Sequence, residues 1–183
     1  MMSNNNNKLE IMRHSAAHIM AAAVQKIWPE TKFGIGPAIE NGFYYDIELP
    51  TGSQVSEKEL SQIEREMEKI KEEAHPFERE EISIEKAQEL FSDDPYKLEL
   101  IEEIASGKRL PSEGKKSPAD SMAAAGETSP DGSGEVRECG GASSVSIYKT
   151  GNFVDLCRGP HVEDTSQIGA FKLHKLAGAY WRG

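Results

Sequence analysis

Apolar residues recur at helical spacing over residues 8–28, where Leu9, Met12, Ala16, Ile19, Ala23 and Ile27 form one stripe until Pro29 stops the run. The pattern predicts a helix there. Residues 1–7, with asparagines from Asn4 to Asn7, are expected to be a disordered lead-in. From Lys32 to Leu49 the pattern turns strand-like and glycine-punctuated: Phe33-Gly34-Ile35-Gly36-Pro37, then Asn41-Gly42 running into Phe43-Tyr44-Tyr45-Asp46-Ile47. Asn-Gly between such runs predicts a β-hairpin. Ser56-x-x-Glu59 has the form of a capping box and opens a helix through Ala74, with Leu60, Ile63, Met67 and Ile70 on one face and charge on the rest. A short strand over 77–82 and helical pieces at 84–91 and 96–105 complete the first part.

From Ser106 to Ser144 the sequence is rich in Gly, Ser, Pro and Ala and nearly free of large apolar residues. Such a stretch cannot bury enough surface to offset its ordering entropy, so 106–144 is expected to be a disordered insertion in a surface loop. Strand patterning resumes at Val145–Tyr148 and Phe153–Cys157. Phe171–Tyr180 reads as a strand followed by a tight Ala-Gly-Ala turn. Helices mixed with antiparallel strands predict an α+β fold, with the first helix packed on a sheet that carries both the hairpin and the strand ending at Cys157. One domain, 8–183 interrupted at 106–144, fits the chain length of 183 residues.

Charge sharpens this picture. The net charge is −10, and all of it lies in residues 57–103, while the remainder balances to zero. Segment 145–183 carries Lys149, Arg158, Lys172, Lys175 and Arg182 against three acids, so a polyanion such as RNA is tolerated on that side. The two cysteines, Cys139 in the low-complexity stretch and Cys157, argue against a stabilising disulfide and for a reducing compartment. No apolar run approaches the length of a membrane span, and the first residues do not form a charged-then-apolar leader. A cytoplasmic protein without membrane partners is expected.

The chemistry-bearing residues form two matched steps at opposite ends of the chain, His14-Ser-Ala-Ala-His18 and Cys157-Arg-Gly-Pro-His161. On a helix, positions i and i+4 share a face, so His14 and His18 can converge on one small volume, and Cys157 with His161 can close it from a strand and its following turn. Three imidazoles and a thiolate are a good tetrahedral set for zinc. The same four residues also suit a metal-free pocket in which histidines manage protons and orient water. Satisfied core histidines around an inert cysteine are the plainer alternative. Taken alone, Lys97 reads as a surface ion pair, Asp155 as a strand-end brace and Tyr45 as core packing.

A wider set of residues carries a resemblance: Arg13-His14-Ser15-Ala16-Ala17-His18, Trp28-Pro29, Ile35-Gly36-Pro37, Asn41-Gly42-Phe43-Tyr44-Tyr45-Asp46, Pro95-Tyr96-Lys97, Val154-Asp155-Leu156-Cys157-Arg158-Gly159-Pro160-His161 and Ala177-Gly178-Ala179-Tyr180-Trp181-Arg182-Gly183. The chain resembles the second N-terminal domain of bacterial-type threonyl-tRNA synthetases, the editing domain. Alanyl-tRNA synthetase editing domains are similar at the two four-residue steps, but their Cys-Gly-Gly-Thr-His differs from Cys157–His161.

The resemblance implies hydrolysis of mischarged seryl-tRNA(Thr). Serine lacks only a methyl group of threonine, which a binding site can discriminate by roughly 1–3 kcal/mol, so a second, smaller site must remove the error. By the resemblance, His14 transfers the proton, His18 and His161 position water and ester, Lys97 stabilises negative charge, and Asp155 holds the substrate's amino group or hydroxyl. Cys157 lines the sieve, Tyr45 borders the groove, and Arg158 with Lys172 or Lys175 meets the phosphates of the tRNA acceptor end. No cofactor is required on this reading. Zinc on His14, His18, Cys157 and His161 is the alternative that the alanyl relatives suggest, and ATP would belong only to a catalytic domain absent from this chain.

Two features depart from the family's usual layout, the 106–144 insertion and the lack of flanking catalytic, anticodon-binding and small β-grasp domains. The chain is therefore expected to be either a piece of a synthetase, covalently linked to its catalytic domain, or a free-standing deacylase acting in trans. A non-catalytic acceptor-binding module is the reading from a different class. DNA is not an expected partner.

Overall fold

The computed structural model describes residues 3–107 and 142–178, with side chains from residue 7 onward. Helix α1 (Ser3–Ile27) is followed by strands β1 (Lys32–Phe33), β2 (Ala38–Ile39), β3 (Gly42–Phe43) and β4 (Ile47–Glu48). Then come α2 (Glu57–Glu72), β5 (Glu78–Ser83), α3 (Ile84–Leu90), α4 (Pro95–Ala105), β6 (Ser144–Thr150), β7 (Phe153–Leu156) and a 3-10 turn at Thr165–Gln167. Among the described residues every strand pairing is antiparallel, and the architecture is α+β.

Helix α1 begins at Ser3, so the asparagines expected outside the helix are part of it. Once an interior turn is fixed by packing, extending it over poor helix formers costs only a fraction of a kcal/mol per residue. Ala16, Ala17, Ile19, Ala21, Ala23 and Val24 are all buried. The burial is wider than a single stripe because α2 covers one side of the helix while the hairpin and β7 cover the other. Alanine, having no bulk beyond Cβ, lets both neighbours approach. Leu9, at the free end of the stripe, is 42% exposed.

The capping box of α2 is present: Ser56 accepts at the first turn and Glu59 reaches back to the Ser56 N–H. Ile63, Met67 and Ile70 are buried against α1, while its charges form exposed pairs such as Lys69–Glu66 at 2.5 Å.

The hairpin lies where it is expected, but not in the sheet that leads to Cys157. Strands β1–β4 and β2–β3 form separate two-stranded ladders, and β5–β6–β7 form the third sheet. There are two causes, one of sequence and one of packing. Pro37 offers no N–H to extend a ladder, and Gly36 lies beneath the Tyr45 ring, where a Cβ would come within 2.2 Å of the ring carbon Cδ2.

Residues 171–178 also differ from expectation, forming no strand. The Leu173 N–H donates to Glu64 Oε1 at 2.7 Å, so a side chain of α2 takes the bond a neighbouring strand would take. Tyr180 and the rest of 179–183, together with 108–141 and Cys139, lie outside the described residues.

Strand β7 divides two cores. Phe153 and Asp155 are buried on one side, whereas Val154 and Leu156 pack with Ile82, Ile101 and Ile147 on the other. Among the described residues no helix is long and apolar enough to cross a membrane.

Candidate active site on α1 and β7

Helix α1 presents His14 and His18 one turn apart, and their rings meet edge to face with centroids 5.1 Å apart. The other half of the site arrives from β7, whose end is tied to β6: the Cys157 N–H donates to the Ser146 carbonyl at 3.1 Å, and Ser146 Oγ donates back to the Cys157 carbonyl at 2.7 Å. The loop that follows turns at Gly159, with φ +76° and a position where any Cβ would lie 2.3 Å from the Tyr148 hydroxyl. Only glycine fits there on both counts. The turn returns His161 to the histidine pair, with centroids 4.3 Å from His14 and 4.2 Å from His18.

The expected convergence is therefore real. Ligand atoms of His14, His18, Cys157 and His161 all lie within 4.8 Å of one another. Cys157 Sγ is 3.4 Å from His14 Nε2 and 3.3 Å from His161 Nε2, and it accepts the Gly159 N–H at 3.2 Å. His14, Cys157 and His161 are half-buried, whereas His18 is 2% exposed and lies beneath them.

Below His18 is a second polar group, centred on Asp155. Lys97 forms an ion pair with its Oδ1, and the Tyr45 hydroxyl donates to its Oδ2. His18 Nε2 is 3.4 Å from the same Oδ2. Lys97 is 2% exposed, and its Nζ also donates to the Gly34 carbonyl at 2.7 Å. The plain expectation of a surface lysine is thus overturned. Asp94 is the cause: its carboxylate caps α4 by accepting from the Tyr96 and Lys97 N–H groups at 3.1 and 3.2 Å, and it accepts the Phe33 N–H at 2.7 Å. This double attachment pins the first turn of α4 to β1, which aims Lys97 inward.

Burial sets the protonation states. Desolvation lowers the pKa of His14 and His161 and takes that of His18 well below the ordinary imidazole value, with mutual repulsion adding to the effect at His18 and His161. All three rings are neutral near pH 7. Burial pushes the Cys157 thiol up to about 12, with Asp155 adding to the shift, so the sulfur carries its proton. Desolvation, then the Asp155 carboxylate, raises the Tyr45 phenol well above its usual value.

The donor set fits zinc in kind. A tetrahedral zinc ion with bonds of about 2.0–2.3 Å holds its donors about 3.3–3.8 Å apart, so the sulfur–nitrogen distances match and the widest pair would close by about 1 Å. His14, His18, Cys157 and His161 are the residues that would hold it.

The other expected residues lie elsewhere. Arg158 is exposed within the Cys157–His161 loop. Lys172 pairs with Glu64 at 2.7 Å and lines a groove along α2 with Ser61, Arg65 and Phe171, none of them in the cluster. Lys175 is exposed. Four neighbours were not singled out in the sequence. Phe77 stacks flat on His161 at 4.7 Å and Tyr148 meets it edge-on at 4.5 Å. Ser15 bonds to the same ring, and Asp94 orients Lys97. The Asp94-Pro95 pair is a legible helix start. The two aromatics and Ser15 carry no local signal.

Comparison with known sequences finds relatives of this chain. Residues 145–178 match the family described as the threonyl and alanyl tRNA synthetase second additional domain. A threonine–tRNA ligase of Dehalococcoides mccartyi is 45% identical over 175 residues, covering 96% of this chain and 24% of the relative. Those of Streptococcus agalactiae and Rubrobacter xylanophilus are each 43% identical over 96% of this chain and 21% of their own length. The chain thus spans less than a quarter of the enzymes it matches. Within that span, the chain is similar to threonine–tRNA ligases, and its residues 145–178 carry the match to the second additional domain.

Proposed function

We propose that this chain is an editing domain that hydrolyses the ester of mischarged seryl-tRNA(Thr), and that its parent enzyme attaches threonine to tRNA with ATP in the cytoplasm. The observation that carries the reading is the convergence of His14, His18, Cys157 and His161 on one volume, above a buried Lys97–Asp155 pair. Water attacks the ester carbonyl, the carbon–oxygen bond to the terminal ribose breaks, and the proton taken from water ends on the ribose oxygen. Serine and free tRNA are the products.

His14 is the proton carrier, acting on water directly or through the ribose hydroxyl. It is neutral and half-buried. His161, also half-buried, holds water and ester. His18 braces them from beneath, oriented by Asp155, whose oxygens already meet Lys97, Tyr45 and His18. Lys97 supplies positive charge below the developing oxyanion. The protonated Cys157 serves as a wall of the sieve rather than a nucleophile. Arg158 meets the acceptor phosphates, and Lys172 would do so only on releasing Glu64. Zinc bound to the cluster would supply Lewis-acid polarisation of the ester, but none of these side-chain roles needs a metal.

The test is release of serine from seryl-tRNA(Thr), with threonyl-tRNA(Thr) as the control. Preferential release of serine is expected, and His14→Ala should lower the rate by about 10²–10⁴-fold. Binding of the acceptor end without release would make the chain a silent module. Preference for mischarged alanine tRNA would place it with the free-standing alanyl deacylases.

A further inference from the structure

The hydroxyl of Ser15 is fully buried and has three polar neighbours. It lies 3.0 Å from the Ile11 carbonyl, 3.0 Å from the Val162 N–H and 3.1 Å from His161 Nδ1. The first neighbour only accepts and the second only donates. A serine hydroxyl has one proton and two lone pairs, so donation to Ile11 leaves it accepting from both Val162 and His161. That assignment satisfies every partner and requires the His161 proton on Nδ1.

The competing assignment places the His161 proton on Nε2, facing Cys157 Sγ at 3.3 Å. Sulfur is the weaker acceptor, and this one already takes the Gly159 N–H. An N–H···O bond at 3.1 Å to a buried hydroxyl outweighs an N–H···S bond at 3.3 Å. The serine-to-carbonyl bond one turn back is also a common side-chain habit inside helices.

We propose that Ser15 is a positioning residue that locks His161 in its Nδ1–H tautomer, so that the Nε2 lone pair faces Cys157 and His14. Two other contacts hold the ring in that plane, the flat stack of Phe77 and the edge of Tyr148. The locked ring presents a bare nitrogen to the site, ready to accept a hydrogen bond from water or to ligate an ion. Ser15 thereby links the two four-residue steps: it sits inside the first and sets the proton of the second. Its importance for hydrolysis rests on the editing function proposed above, whereas the tautomer itself does not.

The experiment is ¹⁵N NMR of the histidine rings in the 183-residue chain at neutral pH after chelator treatment, beside seryl-tRNA deacylation. In the unaltered chain His161 should show a protonated Nδ1 and a bare Nε2. In Ser15→Ala the signature should move toward the Nε2–H form, and deacylation should fall by about 10–100-fold, the range seen when a metal-ligating histidine loses its orienting partner. A protonated Nε2 in the unaltered chain overturns the proposal, as does an Nδ1–H signature that survives in Ser15→Ala. If Ser15→Ala does not fold, the unaltered spectrum decides alone. An Nδ1–H ring in a chain that leaves seryl-tRNA intact would support the lock and defeat the editing function instead.

Discussion

Lys97 with Asp155 and Lys172 with Glu64 are the same pair of charge types in opposite surroundings. The first pair is enclosed, with side chains 3% and 4% exposed, and shares its carboxylate with Tyr45 and His18. The second is on the surface, its lysine side chain 67% exposed. Coulomb attraction is strong where water is excluded, yet desolvation there is costly, so a buried pair adds little net stability while remaining intolerant of losing one member. A surface pair is worth little either way. The difference teaches that charge inside this domain specifies geometry, while charge along α2 keeps a helix solvated.

The largest expected effect follows directly. Lys97→Ala should destabilise the fold by about 3–5 kcal/mol in urea unfolding, because Asp155 is left buried and uncompensated. Lys172→Ala should cost about 1 kcal/mol or less. Equal losses would break the comparison.

An intermediate effect separates the regions by pH. His14, His18 and His161 have folded pKa values lowered by burial, so below about 6.5 the unfolded chain takes up protons that the folded chain refuses. Stability should then fall with pH by up to about 1.4 kcal/mol per unit for each ring. Partly exposed carboxylates such as Glu66 and Glu80 are held below their ordinary range by hydrogen bonds from Lys69 and Lys149. Their contribution is present above about pH 4.3 and is lost only as pH falls further. Urea melts between about pH 7 and 5 therefore read the buried histidines, and a flat profile in that window would contradict their enclosure.

The smallest effect is on salt response. Raising ionic strength from about 0.1 to 1 M shortens the Debye length from roughly 10 to 3 Å. The cost of Lys172→Ala should vanish across that range while that of Lys97→Ala persists, measured by the same melts.

Much of this was legible in the residues. Capping and periodicity located α2, and the i, i+4 rule put His14 and His18 on one face. The spacing of Cys157 and His161 identified the other half of the cluster. The depth of Lys97 was not legible, because its attachment through Asp94 joins α4 to β1 across distant parts of the chain. Ser15 escaped for the same reason: its role depends on His161 and Val162, which no local pattern connects to it. The hairpin was found but its sheet was not, since proximity of Tyr45 to Gly36 is a packing fact. The absence of a strand at 171–178 likewise depends on Glu64 offering a carboxylate where backbone was expected.

A modest contact at the end of α4 has a wider evolutionary meaning. The Ile104 carbonyl accepts N–H groups from both Gly107 and Ala142, at 3.1 and 3.4 Å. Departure and re-entry of the polypeptide are thus stapled to a single atom at the far end of α4, two helical turns from Lys97. Sequence can be gained or trimmed between those stations without tugging on the buried Lys97–Asp155 pair, giving the domain a socket for experiment by natural selection.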